Sequence, residues 1–256
     1  MLTRGRVLLS AGLEKGTKVV TKPTSVEMAK EEKSCAPVVP TKKSNSYQND
    51  LKEIKVGSIK QDEGKLAIGT GTFGSCYLAR FRGLQVVLKE FKERSNISVE
   101  ELRKEAAYEA RVVQQLGDRP GIPLLFRVML QQPIVALVFQ FHDENDRSLT
   151  LYKAAKEKSF TENQEWNRVL SEVAEALDHI HGCGLIHNDL KSNNVVVERR
   201  EGHPSPIIID FRKSVLAEKA KIPRAKPKHV SSEFSYVALE LRNGTGNPPL
   251  AVIYFL

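Results

Sequence analysis

Residues 184–198 read GLIHNDLKSNNVVVE, and they place Asp189 and Asn194 five residues apart. The segment follows a helical pattern and leads into a run of β-branched residues, so it is typical of a turn that enters a strand. Two short side chains with oxygen atoms on such a turn could bind a metal ion, accept a proton, or simply cap a loop. The rest of the chain is needed to choose among these roles.

The region before residue 142 is rich in predicted strands. Residues 65–81 are typical of a strand, a glycine-rich loop and a second strand, followed by a tight turn at 81–83 and a strand at 85–91. Two further strands are predicted at 123–130 and 133–141, after a Pro/Gly break.

Two amphipathic helices are predicted from apolar residues spaced three and four apart. Ser98 with Glu101, and Thr161 with Gln164, are predicted capping boxes at their starts. The apolar faces are Leu102, Ala106, Val113 and Leu116 in the first helix, and Trp166, Val169, Leu170, Val173, Leu177 and Ile180 in the second.

The quoted segment separates the second helix from a small β element. Strands are predicted at 193–198 and 207–211, with a turn at 199–206 between them. A strand-rich part with one helix followed by a mainly helical part indicates an α+β fold with two lobes.

Composition narrows the class of protein. With 41% hydrophobic and 27% charged residues, the chain is able to bury a core. We expect no membrane span, because no apolar run reaches the roughly 18 residues that a membrane helix needs, and no secretory signal. The three cysteines, Cys35, Cys76 and Cys183, form no C-x-x-C pair, which indicates a reduced intracellular, cytoplasmic chain without structural zinc.

The basic charge is concentrated at the N-terminus. Residues 1–60 carry twelve Lys/Arg and six Asp/Glu, and so supply most of the net charge of +8. They show no sustained apolar period, so we expect a disordered basic extension over 1–60 and no specific nucleic-acid partner. An arm that binds nucleic acid or acidic lipid is the alternative interpretation.

Gly69, Gly71 and Gly74 form the pattern G-x-G-x-x-G, which occurs in dinucleotide-binding folds and also by chance. In a dinucleotide-binding fold this loop opens a helix whose N-terminus faces the pyrophosphate. Here the following residues SCYLARF lead to a turn and another strand, which disfavours that fold. A glycine-rich hairpin instead lets backbone N–H groups approach phosphates.

Two charged residues lie within otherwise apolar patterns. Lys89 ends the strand-like run VVLK, where burial without a partner would be costly. Glu109 falls within the apolar face of the first helix. Each could be an exposed residue at the edge of its element, but a pair between them explains both positions.

Asp189, Asn194 and Asp210 together supply the types of group that phosphoryl transfer requires. Asp210 comes directly after the apolar run PIII. Taken singly, each is typical of a cap or a turn. Taken together, they could supply a base near an acceptor hydroxyl and hard oxygen ligands for Mg²⁺.

These segments together resemble the catalytic domain of eukaryotic-type protein kinases, over roughly residues 66–240. IGTGTFGSCYLA is similar to the family's glycine loop, VVLK to the motif around its phosphate-binding lysine, HNDLKSNN to its catalytic loop and DFR to its metal-binding D-F-G. LVFQFH resembles the hinge between the lobes, and the DLK of the catalytic loop resembles that of serine/threonine kinases.

The resemblance implies roles for six residues, four of them catalytic and two of them metal ligands. Lys89, supported by Glu109, would hold the phosphates, and Asp189 would be the base. Lys191 would lie beside the transferred phosphoryl group, and the metal ligands would be Asn194 and Asp210.

A nucleotide site is implied as well, with Phe139 at the gatekeeper position and backbone groups of 140–142 facing the adenine. The residues expected to line it are Ile68, Gly69, Thr70, Gly71, Thr72, Phe73, Gly74, Cys76, Val87, Lys89, Phe139, Gln140 and His142.

The implied architecture is a bilobal α+β fold. A five-stranded N-lobe sheet with one helix would occupy 61–141, and a partial, mainly helical C-lobe would occupy 142–256. The implied reaction moves the γ-phosphoryl group of ATP, with Mg²⁺, to serine or threonine hydroxyls of a protein substrate. The resemblance does not indicate which oligomeric state the protein adopts.

Two departures from the family pattern affect the catalytic segments. Asn188 replaces an arginine and has no charge for an activation-segment phosphate, so phosphorylation of that segment would not order it through this contact. The phosphorylatable residues there are Ser231, Ser232, Ser235 and Tyr236. Arg212 replaces the glycine of D-F-G, whose backbone freedom arginine lacks, and we expect it to bias the position of Phe211.

Two further departures lie in the nucleotide site. Val87 replaces an alanine and narrows the roof over the adenine, while Cys76 replaces a valine as a small apolar residue, a reactive thiol being the less favoured reading.

The C-terminal residues depart most from the pattern. YVALEL (236–241) resembles the A-P-E motif with Leu239 in place of proline, and no match follows for the family's central buried helix. We therefore expect a C-terminally truncated domain. This motivates an alternative function, a pseudokinase or ATP-binding interaction module that is inactive because of the incomplete C-lobe. A kinase-like phosphotransferase for small molecules is a third possibility, which the glycine loop, VVLK and DLK disfavour.

Overall fold

A computed structural model of the protein describes residues 51–61, 67–71, 74–131, 133–142 and 148–220, which form a bilobal α+β fold. The strands are β1 (Ile59–Gln61), β2 (Gly69–Gly71), β3 (Gly74–Phe81), β4 (Leu84–Phe91), β5 (Leu125–Met129), β6 (Ala136–Gln140), β7 (Leu149–Thr150), β8 (Leu185–Ile186), β9 (Val195–Arg200), β10 (His203–Ile208) and β11 (Val215–Leu216). The helices are α1 (Val99–Leu116), α2 (Leu151–Glu157) and α3 (Asn163–Gly182).

The N-lobe is built on an antiparallel sheet in the order β1-β3-β4-β6-β5, with β2 also paired to β3. Because β4 occupies the whole of the other edge of β3, β1 and β2 lie in line along one edge. The sheet therefore has six strands in five positions, one strand more than the sequence predicted, because β1 lies where a flexible extension was expected.

The hairpin between β3 and β4 sets the register of the sheet. Its two turn residues, Arg82 and Gly83, have φ angles of 52° and 83°. A two-residue turn with positive φ at both positions matches the right-handed twist of the strands that it joins. The resulting register places Lys89 between Cys76 on β3 and Leu137 on β6.

Helix α1 begins at the predicted capping box. The Glu101 N–H donates to Ser98 Oγ (3.2 Å), and the Ser98 N–H donates to Glu101 Oε2 (2.9 Å), so both halves of the box are formed. The helix ends at Gly117, whose φ of 72° suits the end of a helix. Its buried face contains the predicted apolar residues and also Glu109, which is 1% exposed.

The outer face of the N-lobe sheet is covered by residues that the sequence assigned to a flexible extension. Ile54 and Ile59 pack on the apolar cluster that contains Phe81, Val86 and Met129. The Ile54 N–H donates to the Val128 carbonyl at 2.9 Å. Residues 51–60 are therefore part of the packed fold, whereas residues 1–50 lie outside the described ranges, and the exact domain boundary stays a prediction.

In the C-lobe, α3 buries the predicted apolar face through Val169, Val173, Leu177 and Ile180. The predicted capping box at its start was wrong. The N-cap is Glu162, and its side chain makes no capping hydrogen bond.

The β element of the C-lobe is larger than predicted. Strands β9 and β10 pair from Val195 and Ile208 to Arg200 and His203, so the turn is shortened to residues 201–202. The short helix α2, which the sequence analysis did not identify, begins where the Thr150 hydroxyl accepts a hydrogen bond from the Lys153 N–H at 3.2 Å.

A pair of short strands brings the quoted turn beside the segment after β10. Strands β8 and β11 pair through Ile186 with Val215 and through Leu185 with Leu216. In addition, the Ile209 N–H donates to the Asn194 carbonyl at 2.9 Å. Residues 187–194 and 209–214 therefore lie side by side.

No helix within the described ranges is both long and apolar enough to cross a bilayer. The residues resembling A-P-E, with Leu239, and the phosphorylatable residues from Ser231 to Tyr236 lie outside those ranges.

The packing of α3 predicts a contrast between two apolar substitutions. Ile180→Ala removes a side chain with 0% exposure from the core and should lower the free energy of unfolding by about 2–5 kcal/mol. Leu84→Ala, at a site with 59% exposure, should change it by less than about 0.5 kcal/mol. Urea unfolding of both variants measures the difference, and equal losses would contradict this placement of α3.

Candidate functional site

A cleft of about 890 Å³ is lined by residues from both lobes. Every site residue predicted from the sequence that falls within the described ranges lines this cleft. Thr72 and Phe73, also predicted, lie outside those ranges. Residues far apart in sequence, from the glycine-rich turn to the end of β10, therefore meet around one space.

The glycines of the β2–β3 turn serve two different purposes. A Cβ on Gly74 would lie 2.1 Å from the Glu90 carbonyl oxygen, so only glycine permits the close approach of β3 and β4 there. At Gly69 and Gly71 a Cβ would meet nothing within 4 Å. These two positions border open space in the cleft, where the backbone is accessible to a ligand.

Lys89 on β4 joins the two lobes through a partly buried ion cluster. Its Nζ lies 2.7 and 2.9 Å from the carboxylate oxygens of Glu109 on α1. The same Nζ lies 2.6 Å from Oδ1 of Asp210, the second residue after β10. The pair predicted between Lys89 and Glu109 is thus confirmed, and Asp210 completes it from the other lobe.

The cluster sets the charge of its members. Burial alone would lower the pKa of the Lys89 ammonium, but the carboxylates of Glu109 and Asp210 outweigh it and hold that pKa above its usual value. Burial alone would raise the pKa of Asp210, but the charge and hydrogen bond of Lys89 and the charge of Arg212 hold it below its usual value. At neutral pH the cleft therefore presents an ammonium group beside a carboxylate.

Asp189 and Asn194 are held together on the turn between β8 and β9. Asn194 Nδ2 donates to the Asp189 carbonyl at 2.8 Å and approaches its Oδ2 at 3.4 Å. Asn194 is 7% exposed, so the contact fixes the loop from within. This bond orients the Asp189 carboxylate toward the cleft that it lines.

His187 is a buried residue that supports this turn. It is fully buried, burial lowers its pKa, and its ring packs edge-on against Phe211 at 4.9 Å. The Asp189 N–H donates to Nδ1 at 3.3 Å, so Nδ1 is an acceptor and Nε2 is the nitrogen that donates to the Ile209 carbonyl at 3.0 Å. The neutral imidazole thus ties the turn to the segment that carries Asp210.

Two lysines contact the Asp189 carboxylate. Lys213 Nζ lies 2.8 Å from Oδ1, and Lys191 Nζ lies 3.5 Å from Oδ2. Lys191 was expected from the resemblance, whereas Lys213 was not identified. One lysine within a basic segment does not stand out in the sequence. The contact between Lys213 and Asp189 is therefore visible only in the fold.

Arg212 occupies its position without backbone strain. The positive φ in this segment falls on Asp210 (69°), and Arg212 is not among the described residues with positive φ. Its Nη1 lies 3.8 Å from Glu105 Oε2, and Arg94 Nη2 donates to the same carboxylate at 2.7 and 2.8 Å. The arginine that replaces glycine therefore adds an ionic contact to α1.

Cys76 on β3 and Val87 on β4 both line the cleft. Val87 pairs with Phe139 across β4 and β6, which places it beside the predicted gatekeeper. Burial raises the pKa of the Cys76 thiol to about 11. The thiol is therefore protonated at neutral pH, in agreement with its interpretation as a small apolar residue.

The chain is similar to known protein kinases. The model of the family described as "Protein kinase domain" matches residues 63–247. A probable serine/threonine-protein kinase of Dictyostelium discoideum is 27% identical over 187 residues, which cover 72% of this chain and 19% of that protein. The serine/threonine-protein kinase Pkn1 of Myxococcus xanthus is 28% identical over 87% of this chain and 30% of its own length. The chain thus spans less than a third of either relative.

The raised pKa of Cys76 predicts slow alkylation. At pH 8 a thiol with a pKa of about 11 should react with iodoacetamide roughly two orders of magnitude more slowly than an unperturbed thiol, since only the thiolate attacks. Mass spectrometry of the Cys76 peptide over time gives the rate. In urea the rate should rise to that of free cysteine, and an equally fast reaction in the folded protein would contradict the burial of this thiol.

Proposed function

This chain belongs to the protein kinase domain family, and from that premise we propose that it transfers the γ-phosphoryl group of ATP to serine or threonine hydroxyls of a protein. The observation that carries the proposal is the ion cluster of Lys89, Glu109 and Asp210 in the same cleft as Asp189 and Asn194. Charge neutralisation and positioning account for most of the catalysis of phosphoryl transfer, and these are the groups that can supply both.

The cleft offers a suitable site for the nucleotide. Its volume of about 890 Å³ lies within the usual range for small-molecule sites. Val87 and Phe139 supply apolar surface for the base, and the backbone of Gln140 and His142 lies at the same wall. The Lys89 ammonium lines the same cleft as Gly69 and Gly71 and can contact the phosphates.

The residues present fit Mg²⁺. Asp210 supplies a carboxylate and Asn194 an amide oxygen, and Mg²⁺ favours one or two such ligands together with phosphate oxygens and water. Within the described residues no group of three or more His, Cys, Asp or Glu could hold a metal alone, so a zinc-type cage is not formed there. Bound Mg²⁺ would neutralise charge on the phosphates.

Asp189 is the residue placed to receive the acceptor hydroxyl. In the proposed reaction its carboxylate accepts the hydroxyl proton while the hydroxyl oxygen forms the new P–O bond and ADP leaves. Lys191, 3.5 Å from Asp189 Oδ2, can neutralise charge on the transferred group. Asn194 acts as a positioning residue as well as a ligand, because it holds the Asp189 carbonyl.

The preference for serine or threonine is supported by the two relatives, which are named as serine/threonine kinases. The DLK sequence of the catalytic turn agrees with it. Because ATP is the donor in this proposal, an intracellular setting is the natural one.

Two matched substitutions test the proposal. Asp189→Asn should lower the rate of ³²P transfer from ATP to protein acceptors by about 10²–10⁴-fold, the usual contribution of a general base, while MgATP still binds. Asp118→Asn, an exposed aspartate outside the cleft, should leave transfer unchanged. Lys89→Met should weaken MgATP binding, because the phosphates lose their cation.

Other outcomes would assign other functions. If the protein binds MgATP without transfer, and Asp189→Asn behaves like the unmodified protein, the chain is a nucleotide-binding interaction module. Transfer to small alcohols but not to proteins would instead identify a small-molecule phosphotransferase.

A further inference from the structure

The carboxylate proposed to receive the acceptor hydroxyl carries a lysine on each of its oxygens. Lys213 Nζ lies 2.8 Å from Asp189 Oδ1, closer than Lys191 Nζ at 3.5 Å from Oδ2. Asp189 is only 12% exposed, whereas the Lys213 side chain is 41% exposed. The Lys213 side chain therefore contacts the carboxylate and is also accessible to solvent.

The backbone around Lys213 is fixed from several directions. The Asn188 side-chain amide donates to the Lys213 carbonyl at 3.3 Å. The Tyr108 hydroxyl donates to the carbonyl of the next residue, Ser214, at 2.8 Å. Phe211, at the start of the same 3₁₀ turn, is fully buried. The backbone position from which the Lys213 side chain extends is thus fixed. Asn188 contributes to this placement rather than binding a charge.

Outside the Lys89 cluster, the cleft has an excess of positive charge. Apart from the Lys89 cluster, the lysines that line the cleft in the described residues are Lys153, Lys156, Lys191 and Lys213, whereas the carboxylates are Glu157 and Asp189. A basic acceptor segment would meet repulsion there, and an acidic one would meet attraction.

We propose that Lys213 selects acceptor proteins that carry acidic residues next to the target hydroxyl. The inference rests on the proposed function, since it names the substrate class of the same cleft. An acceptor hydroxyl needs an oxygen of Asp189, and at Oδ1 it competes with the Lys213 ammonium that already contacts this oxygen. A carboxylate beside the target hydroxyl gives the Lys213 ammonium a new partner and so offsets the loss of this ion pair.

The proposal adds no chemical step to the transfer. The hydroxyl proton still passes to Asp189, and the phosphoryl group still passes from ATP to the hydroxyl oxygen. What changes is the partner of the Lys213 ammonium, from Asp189 in the free protein to the acceptor's carboxylate in the complex. The effect is therefore expected in acceptor binding rather than in nucleotide binding.

Peptide binding tests the proposal without requiring turnover. Fluorescein-labelled peptides that contain one serine flanked by Asp, Ala or Lys are titrated with the protein in Mg²⁺ and a non-hydrolysable ATP analogue. Anisotropy should show about fivefold tighter binding of the Asp peptide than of the Ala peptide, the upper range for one exposed ion pair. Lys213→Ala should reduce this ratio to about one, and Lys213→Glu should invert it.

Lys219→Ala is the matched control. Lys219 is exposed, contacts its neighbour Glu218 at 3.9 Å and does not line the cleft, so its removal should leave the ratio unchanged. A second measurement needs no variant. The preference of the unmodified protein for the Asp peptide should fall as NaCl is raised from about 50 mM to about 500 mM, because salt screens exposed charges.

Equal affinities for the Asp and Ala peptides, or a ratio that Lys213→Ala leaves unchanged, would overturn the inference. These results differ from a failure of the proposed function, which appears as an absence of ³²P transfer to any of the three peptides. An increase in the affinity of Lys213→Ala for all three peptides alike would show that Lys213 only blocks Asp189, and would also overturn the inference.

Discussion

The contact on which the site depends is the one between the Lys89 ammonium and two carboxylates, 2.7 Å from Glu109 and 2.6 Å from Asp210. It joins a strand, a helix and a loop of the other lobe at a single nitrogen atom. Burying an ion is costly unless it is paired, so each member constrains the elements that carry the others. The capping box of α1 and the β3–β4 hairpin matter to the site because they bring Glu109 and Lys89 to this point.

The same helix also holds the segment beyond Asp210. Besides Glu109, α1 contributes Glu105, which lies 3.8 Å from Arg212 Nη1, and Tyr108, whose hydroxyl donates to the Ser214 carbonyl. Two residues of α1 therefore contact the segment that carries Asp210 and Lys213 directly, and Glu109 is linked to it through Lys89. The position of the metal-ligand candidate, and that of the lysine beside Asp189, are set by the same packing of α1.

The sequence predicted the Lys89–Glu109 pair correctly but missed several contacts around it, for physical reasons. Lys89 and Glu109 stood out because charges in apolar patterns need partners, and capping at Ser98 was correct because both halves of the box formed. The box at Thr161 failed, since Glu162 became the N-cap and a local motif does not decide where a helix starts. Residues 51–60 and Lys213 escaped detection because their contacts are tertiary, with partners such as Val128 and Asp189.

The free energy of unfolding in a double-mutant cycle of Lys89→Met and Glu109→Gln tests the buried pair most directly. Lys89→Met leaves the Glu109 carboxylate buried without its ammonium, and neutralising that carboxylate should recover part of the loss. We expect the double variant to be more stable than Lys89→Met alone, with a coupling of about 1–3 kcal/mol between the two sites. Losses that simply add would contradict the account, because they would show that the two side chains act independently.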